Sequence, residues 1–269
     1  MRAPIAPLFV PGDRPERFTK AAATAADAVI IDLEDAVDPS TKEAARANLL
    51  RHDIASKPVL ARINGAGTSW WKEDLAMLDS AALSGVIVPK AERAEDLAEA
   101  AGSAGGKLAI IALIETVEGL DNIQAILSVP EVICVGFGSL DFGLDLGCQP
   151  SWEALLFTRS QLVLASRRAG KQAPIDGVTP TLDDPDLIAA EAYRARNMGF
   201  GGKLAIHPKQ VLPILTAFRP TEKEITWAER VLAAATSDSA IKIDGQMIDK
   251  PLVERARRLM EAAAIPTEG

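Results

Sequence analysis

Two cysteines, two histidines and one tyrosine are all that these 269 residues hold of those types, and aromatic residues make up only 4% of the chain. Cys134 and Cys148 form no C-x-x-C pair and have no histidine at metal-binding spacing, so neither a disulfide framework nor a zinc site has support. Cys134 sits inside an apolar run and reads as inert core. Nowhere do the ~18 consecutive apolar residues of a bilayer span occur. The N-terminus, MRAPIAPLFVPGDRPER, has no apolar stretch of signal-peptide length. A cytoplasmic protein without a membrane partner is the expectation. The net charge of −8 argues against a nucleic-acid surface and against anionic membranes, though not against a local basic pocket. With so few rings, the core must be built from Ala, Val, Ile and Leu.

What is present fits a globular α/β protein: 48% apolar and 25% charged residues. The length suits one (β/α)8 barrel of ~250 residues, and no linker rich in Pro, Gly or Ser divides it. Strand-length apolar runs at 5–10, 28–33, 58–63, 85–89, 108–114, 132–137, 174–178 and 203–206 alternate with segments of helical period, the pattern of parallel βα units. The expected fold is therefore a (β/α)8 TIM barrel over 1–210. A C-terminal helical extension over 211–269 belongs to the same domain or packs on a neighbouring subunit. In it, KQVLPILTAF, TEKEITWAERVLAAATSD and PLVERARRLMEAA read as helices and IKIDGQMID as a hairpin. Within the barrel, Ser40 and Thr41 are expected to cap STKEAARANLLRH with Glu43 in the reciprocal position. Asp183 or Asp184 opens PDLIAAEAYRARNMG, which Gly199 stops, and WEALLFTRSQLVLASRRAG reads as one long helix.

Five polar residues fall where apolar runs end: Asp35, Arg62, Glu115, Asp141 and His207. Polar groups at the ends of successive buried strands converge on a barrel mouth, so the chain reads as an enzyme. Glu115 and Asp141 follow neighbouring strands and can share a hard cation such as Mg²⁺, which takes oxygen ligands and needs only one or two protein carboxylates. The alternative is that both cap helices. Gly136, Gly138 and Gly143 would let backbone N–H groups approach a bound anion.

Arg62 can hold a carboxylate or carbonyl oxygen in two-point contact. It can equally pair with Asp32, Glu34 or Asp35, and both can be true at once. At least one of Glu34 and Asp35 should face the mouth, and alternation sends its neighbour elsewhere. His207 reads as structural, and His52 as a complement to a helix dipole. Lys90 is a candidate Schiff-base lysine, which keeps a metal-independent aldolase in play, or else a salt-bridge partner. Arg14, Arg17 and Lys20, with free backbone N–H groups at a helix start, suggest a phosphate site or a solvated helix. Trp70 and Trp71 fit core or subunit contact better than a ligand cover.

LFVPGDRPERFTKA, ADAVIIDLEDAVDPSTKEAAR, ARING, VPKAE, IETVEGL, the G-x-x-D-F-x-x-D-L-G stretch and GFGGKLAIHPKQ, in that order over roughly 8–210, together resemble the citrate lyase beta subunit family of the HpcH/HpaI aldolase superfamily. The resemblance implies a TIM barrel, trimeric or built from trimers as a homotrimer or hexamer, that cleaves 3-hydroxyacyl-CoA substrates such as citryl-CoA or citramalyl-CoA with Mg²⁺. Acyl-CoA and 2-keto acids would be its small-molecule ligands. IET carries the metal-binding glutamate onto Glu115, SLDF the metal-binding aspartate onto Asp141, and ARIN the substrate-binding arginine onto Arg62. DLEDAV carries an acid/base or outer-sphere acid onto Asp35, and the CoA phosphates would meet Arg14 and Arg17.

Two departures stand out. The family's D-x-x-G-L after strand seven reads Asp183-Asp184-Pro185-Asp186-Leu187 here, and the distinct C-terminal domain with which malyl-CoA relatives supply an acid is missing.

The mechanism expected on this basis is a retro-aldol cleavage to a 2-keto acid and an acyl-CoA. Glu115 and Asp141 would hold Mg²⁺, Arg62 and the backbone N–H groups of Leu140 and Asp141 would bind the substrate anion, and Asp35 would handle a proton. The rivals are a CoA-independent 2-keto-acid aldolase and a lyase-complex subunit without activity of its own.

Overall fold

The computed structural model describes residues 1–234, 241–243 and 246–263, with the backbone alone for 241–243, 246 and 247. Eight strands form one sheet in sequence order: β1 (Leu8–Pro11), β2 (Val29–Asp32), β3 (Val59–Arg62), β4 (Gly85–Val88), β5 (Ala109–Ile114), β6 (Val132–Phe137), β7 (Ile175–Asp176) and β8 (Gly202–Lys203). All pair in parallel. A parallel bridge between Leu8 and Ala205 closes the ring, with the Phe9 N–H donating to the Ala205 carbonyl at 2.9 Å. The expected TIM barrel is thus present, and each anticipated apolar run overlaps a strand, β8 by Lys203 alone. The paired segments are shortest in β7 and β8, with only Gly136 and Ile175 in register between β6 and β7 and two residue pairs between β7 and β8.

Every residue of β2 and β4 is buried, as strands covered on both faces must be. Ile30, Leu60, Ile87, Ile111, Cys134, Ile175 and Leu204 fill the barrel interior. Leu and Ile dominate there, which the scarcity of rings requires. Cys134 is fully buried, and that burial pushes its thiol up to about 12, so it is inert core as expected.

Outside the ring lie α1 (Phe18–Ala22), α2 (Lys42–Leu50), α3 (Trp71–Met77), α4 (Ala94–Ser103), α5 (Val117–Asp121), α6 (Ile123–Ser128), α7 (Ser139–Leu146), α8 (Leu156–Arg168), α9 (Pro185–Met198) and α10 (Pro208–Phe218). Two expected starts need correction. Asp38, not Ser40 or Thr41, caps the turn before α2: its carboxylate accepts from the Ser40 N–H at 2.9 Å and from the Ser40 hydroxyl at 2.6 Å. An ionised acceptor outcompetes a hydroxyl. The long helix begins at Leu156 rather than Trp152, because Ser151 turns the chain by accepting from the Ala154 N–H. α9 starts as anticipated, with Asp184 accepting from the Leu187 N–H at 2.9 Å and Pro185 in the first turn, and ends at Gly199 with φ of 105°.

Trp71 is buried and its ring N–H donates to Glu99, while the Lys42 ammonium stands 5.0 Å from the Trp70 ring. Neither ring lines the cavity at the C-terminal ends of the strands.

The chain forms two compact units, Met1–Leu215 and Thr216–Gly269. The division falls inside α10, whose Gln210, Val211 and Ile214 are buried. The second unit contains α11 (Glu222–Ala234), an antiparallel hairpin of β9 (Ile241–Ile243) and β10 (Gln246–Ile248), and α12 (Lys250–Ala263). Ala228, Val231, Ile248, Ala256 and Leu259 form its own core. Among the described residues, no helix is long and apolar enough to cross a membrane.

Candidate active site

The C-terminal ends of the strands open into a cavity of about 370 Å³. Asp32, Asp35, Arg62, Glu115 and Asp141 give it a charged wall, continued by Gly138, Ser139 and Leu140 at the start of α7. Phe9, Leu113, Phe137, Val178, Leu204 and Ile206 face them as an apolar wall. Four of the five strand-end groups picked out by sequence therefore meet here. His207 does not line the cavity: its Nδ1 accepts from the Lys209 N–H at 3.2 Å, a structural role at the start of α10.

Asp32 organises the acidic side. It is 1% exposed, and its oxygens accept from the N–H groups of Glu34 and Ala36, which curls the chain immediately after β2. The same two oxygens take the Arg62 fork, Nε at 2.7 Å and Nη2 at 2.6 Å. Arg62 Nη1 lies 3.1 Å from Glu34 and 3.6 Å from Asp35. Burial alone would lower the Arg62 pKa, but the charge and hydrogen bonds of Asp32, with Glu34 and Asp35 behind it, raise it instead. Both readings of Arg62 hold: it is locked in an ion-pair cluster and it lines the cavity. Of the two neighbours, Asp35 lines the cavity and the buried Glu34 does not, as expected, although both reach Arg62. The turn imposed by Asp32 replaces the strand period after residue 32.

Glu115 is 2% exposed, and burial, reinforced by the Glu34 charge, pushes its carboxyl up to about 8. Its Oε2 accepts from the Lys90 N–H at 2.8 Å, and no described residue donates to its Oε1. Glu115 caps nothing: Thr116 is the N-cap of α5, accepting from the Gly119 N–H. Asp141 lies in the first turn of α7, which has no side-chain cap. The helix-cap alternative therefore fails for both acids.

A buried carboxylate with one unclaimed oxygen, whose ionised form is disfavoured until positive charge arrives, fits a cation ligand. No cluster of three or more His, Cys, Asp or Glu side chains suited to a metal exists among the described residues. Glu115 and Asp141 line the same cavity, and Mg²⁺, which needs only one or two protein carboxylates, would fit such a pair.

Close packing requires glycine at three positions around this site. A Cβ on Gly138 would meet Glu115 Cγ at 2.3 Å, one on Gly136 would meet Leu113 at 2.9 Å, and one on Gly143 would meet Pro150 at 3.0 Å. They make room for side chains.

Lys90 pairs with Glu34, Nζ to Oε1 at 2.8 Å. Burial pulls its pKa down, but the bond and charge of Glu34 outweigh it and raise the value. This is the salt-bridge role that the sequence also allowed for Lys90.

Arg14 and Arg17 are exposed on the loop after β1 and stand outside the cavity. Their backbone N–H groups are already bonded, to the Pro11 and Arg14 carbonyls, and α1 has only five residues. The exposed guanidinium groups and the exposed Lys20 ammonium remain of the anticipated phosphate site. His52 Nε2 lies 3.0 Å from the Ala82 carbonyl oxygen. Asp186, at the position of the family glycine, is an exposed first-turn acid of α9, and Asp183 pairs with Lys209.

The model of the HpcH/HpaI aldolase/citrate lyase family matches residues 6–208. A "citrate lyase subunit beta-like protein" of Deinococcus radiodurans is 38% identical over 96% of this chain and 96% of its own length. An "L-malyl-CoA/beta-methylmalyl-CoA lyase" of Cereibacter sphaeroides is 30% identical over 95% of this chain and 93% of its own. Among solved structures, CitE of Mycobacterium tuberculosis in complex with magnesium, acetoacetate and coenzyme A superposes with a TM-score of 0.88 at 35% identity, covering 98% of this chain and 99% of that one.

Proposed function

Because the chain belongs to the HpcH/HpaI aldolase/citrate lyase family, we propose that it is a Mg²⁺-dependent carbon–carbon lyase acting on a carboxylated 3-hydroxyacyl-CoA of the citryl-CoA or citramalyl-CoA type. The products are a 2-keto acid and an acyl-CoA. The observation that carries this reading is the meeting of Glu115, Asp141 and Arg62 in one cavity, from three strand ends distant in sequence. The magnesium and coenzyme A in the M. tuberculosis CitE complex support the choice of cofactor and carrier.

Glu115 and Asp141 hold Mg²⁺, which supplies Lewis acidity toward the oxygens of the substrate. Asp35, half exposed at the mouth, is the base within reach of solvent and takes the hydroxyl proton. As the C2–C3 bond breaks, the hydroxyl carbon becomes the keto carbon and the electron pair passes to the thioester as an enolate. Arg62 donates to the oxygen that gains or carries negative charge, and the N–H groups of Leu140 and Asp141 at the α7 N-terminus do the same. A proton then returns to the enolate carbon. The apolar wall excludes water from that carbon until protonation. Arg14 and Arg17, exposed beside the mouth loop, meet the CoA phosphates.

The decisive measurement is release of pyruvate, oxaloacetate or glyoxylate from citramalyl-, citryl- and malyl-CoA by the purified chain with Mg²⁺. Turnover of one of them that chelator abolishes is expected. Absence of turnover for all three, or equal turnover of the free 2-keto-acid aldols without CoA, overturns the reading.

A further inference from the structure

Lys90 is the one non-glycine residue with positive φ among the described residues, at 44°. A non-glycine residue in the left-handed region is strained and persists where surrounding contacts over-determine it. Lys90 immediately follows Pro89, at the end of β4, and the hydrogen bonding explains what the strain achieves. Ala91, not Lys90, donates to the next carbonyl of the neighbouring strand, Leu113, at 3.1 Å. The Lys90 N–H is thereby released from the sheet and turned to Glu115 Oε2 at 2.8 Å. The other end of the residue is tied down as well, Nζ to Glu34 Oε1 at 2.8 Å. Glu34 is 6% exposed, and its Oε2 is buried with no hydrogen bond, 3.1 Å from Arg62 Nη1. Backbone and side chain of one residue therefore bridge the buried Glu34–Arg62 cluster to Glu115.

We infer that Lys90 is a positioning residue: its pair with Glu34 pins a strained backbone whose N–H fixes Glu115 with one oxygen bonded and the other open to the cavity. The inference rests on the metal site proposed above. Without the pin, the backbone relaxes to negative φ, the N–H turns away and Glu115 loses its set orientation.

The sign of one effect separates this role from simple electrostatics. Lys90 carries positive charge near a cation site, so if charge alone mattered, deleting the ammonium would tighten Mg²⁺ binding. Positioning requires the reverse for Lys90→Met. Lys90→Gly is different again, because glycine adopts φ near +44° without strain and keeps the N–H. Lys90→Arg keeps the cation.

Titration of the metal-free purified chain with Mg²⁺ in a calorimeter reads this directly. K90M should bind about tenfold more weakly than the wild type, the equivalent of ~1.4 kcal/mol. K90R and K90G should both stay within about threefold of the wild type, on the same arithmetic. Should K90M fail to fold, K90Q makes the same comparison. Mg²⁺ binding by K90M or K90Q as tight as in the wild type, or tighter, overturns the inference while leaving the metal site intact. A wild type that binds no Mg²⁺ overturns both.

Discussion

A Cβ placed on Gly138 would stand 2.3 Å from Cγ and 2.5 Å from Oε1 of Glu115, so the end of β6 is shaped around a side chain from the end of β5. Gly138 also donates its N–H to the Ile114 carbonyl at 2.9 Å, which leaves the backbone no room to retreat. Gly138→Ala must then move Glu115. The variant should stay folded, since the side chain can swing into the cavity, yet lose Mg²⁺ affinity by at least about tenfold, or ~1.4 kcal/mol. Unchanged Mg²⁺ affinity in calorimetry would show that Glu115 is not held by this contact.

Glu115→Gln and Asp141→Asn remove charge without changing volume. Each should abolish chelator-sensitive turnover and keep the circular dichroism spectrum of the wild type. Full activity in either variant would refute its assignment as a ligand.

Glu115 also sets a pH dependence of stability in the metal-free chain. Its carboxyl is raised from 4.5 to about 8 on folding, by burial first and then by the Glu34 charge. Below pH 4.5 the group is protonated in both states and has no effect. Between pH 4.5 and about 8 the unfolded chain has lost the proton that the folded chain retains, so folding stability falls as pH rises and levels off above about 8. Glu115→Gln removes this loss. In chelator, its melting temperature should match the wild type at pH 4 and exceed it increasingly up to pH 8. A gap that does not change with pH would mean that Glu115 titrates normally.

Arg62 joins stability to chemistry. Arg62→Ala leaves Asp32, 1% exposed, without its bidentate partner, and losing one member of a buried pair costs about 3–5 kcal/mol. Arg62→Lys keeps a charge but not the fork. It should fold with a modest loss in urea midpoint and lose activity by about 10²–10³-fold, the scale of removing one oriented donor. Wild-type kcat in Arg62→Lys would exclude a role for the guanidinium in catalysis.

The two cysteines give a simple check on the barrel interior. Cys134 is fully buried with its thiol raised to about 12, whereas Cys148 is partly exposed. A thiol reagent should modify one group in the native chain and two in denaturant. Two fast-reacting native thiols would contradict the packing around Ile111 and Ile175.

The sequence by itself determined the eight βα units and the strand-end positions of Asp35, Arg62, Glu115 and Asp141. Uninterrupted apolar runs are the signature of strands buried on both faces, and polar residues ending such runs are placed near the barrel mouth, where four of the five converge. Only the tertiary structure decided what those positions mean for one another. Whether Glu115 caps a helix depended on Thr116 taking that role, and whether Gly138 makes room for a neighbour's side chain depended on the distance between β5 and β6. The curl after Asp32, which brings both Glu34 and Asp35 to Arg62, breaks the strand period through two side-chain hydrogen bonds that no periodicity reveals. The left-handed backbone of Lys90 was hidden for the same reason: a lysine after a proline carries no local signal for positive φ, and the contacts that hold it come from residues 34 and 115, far away in the chain.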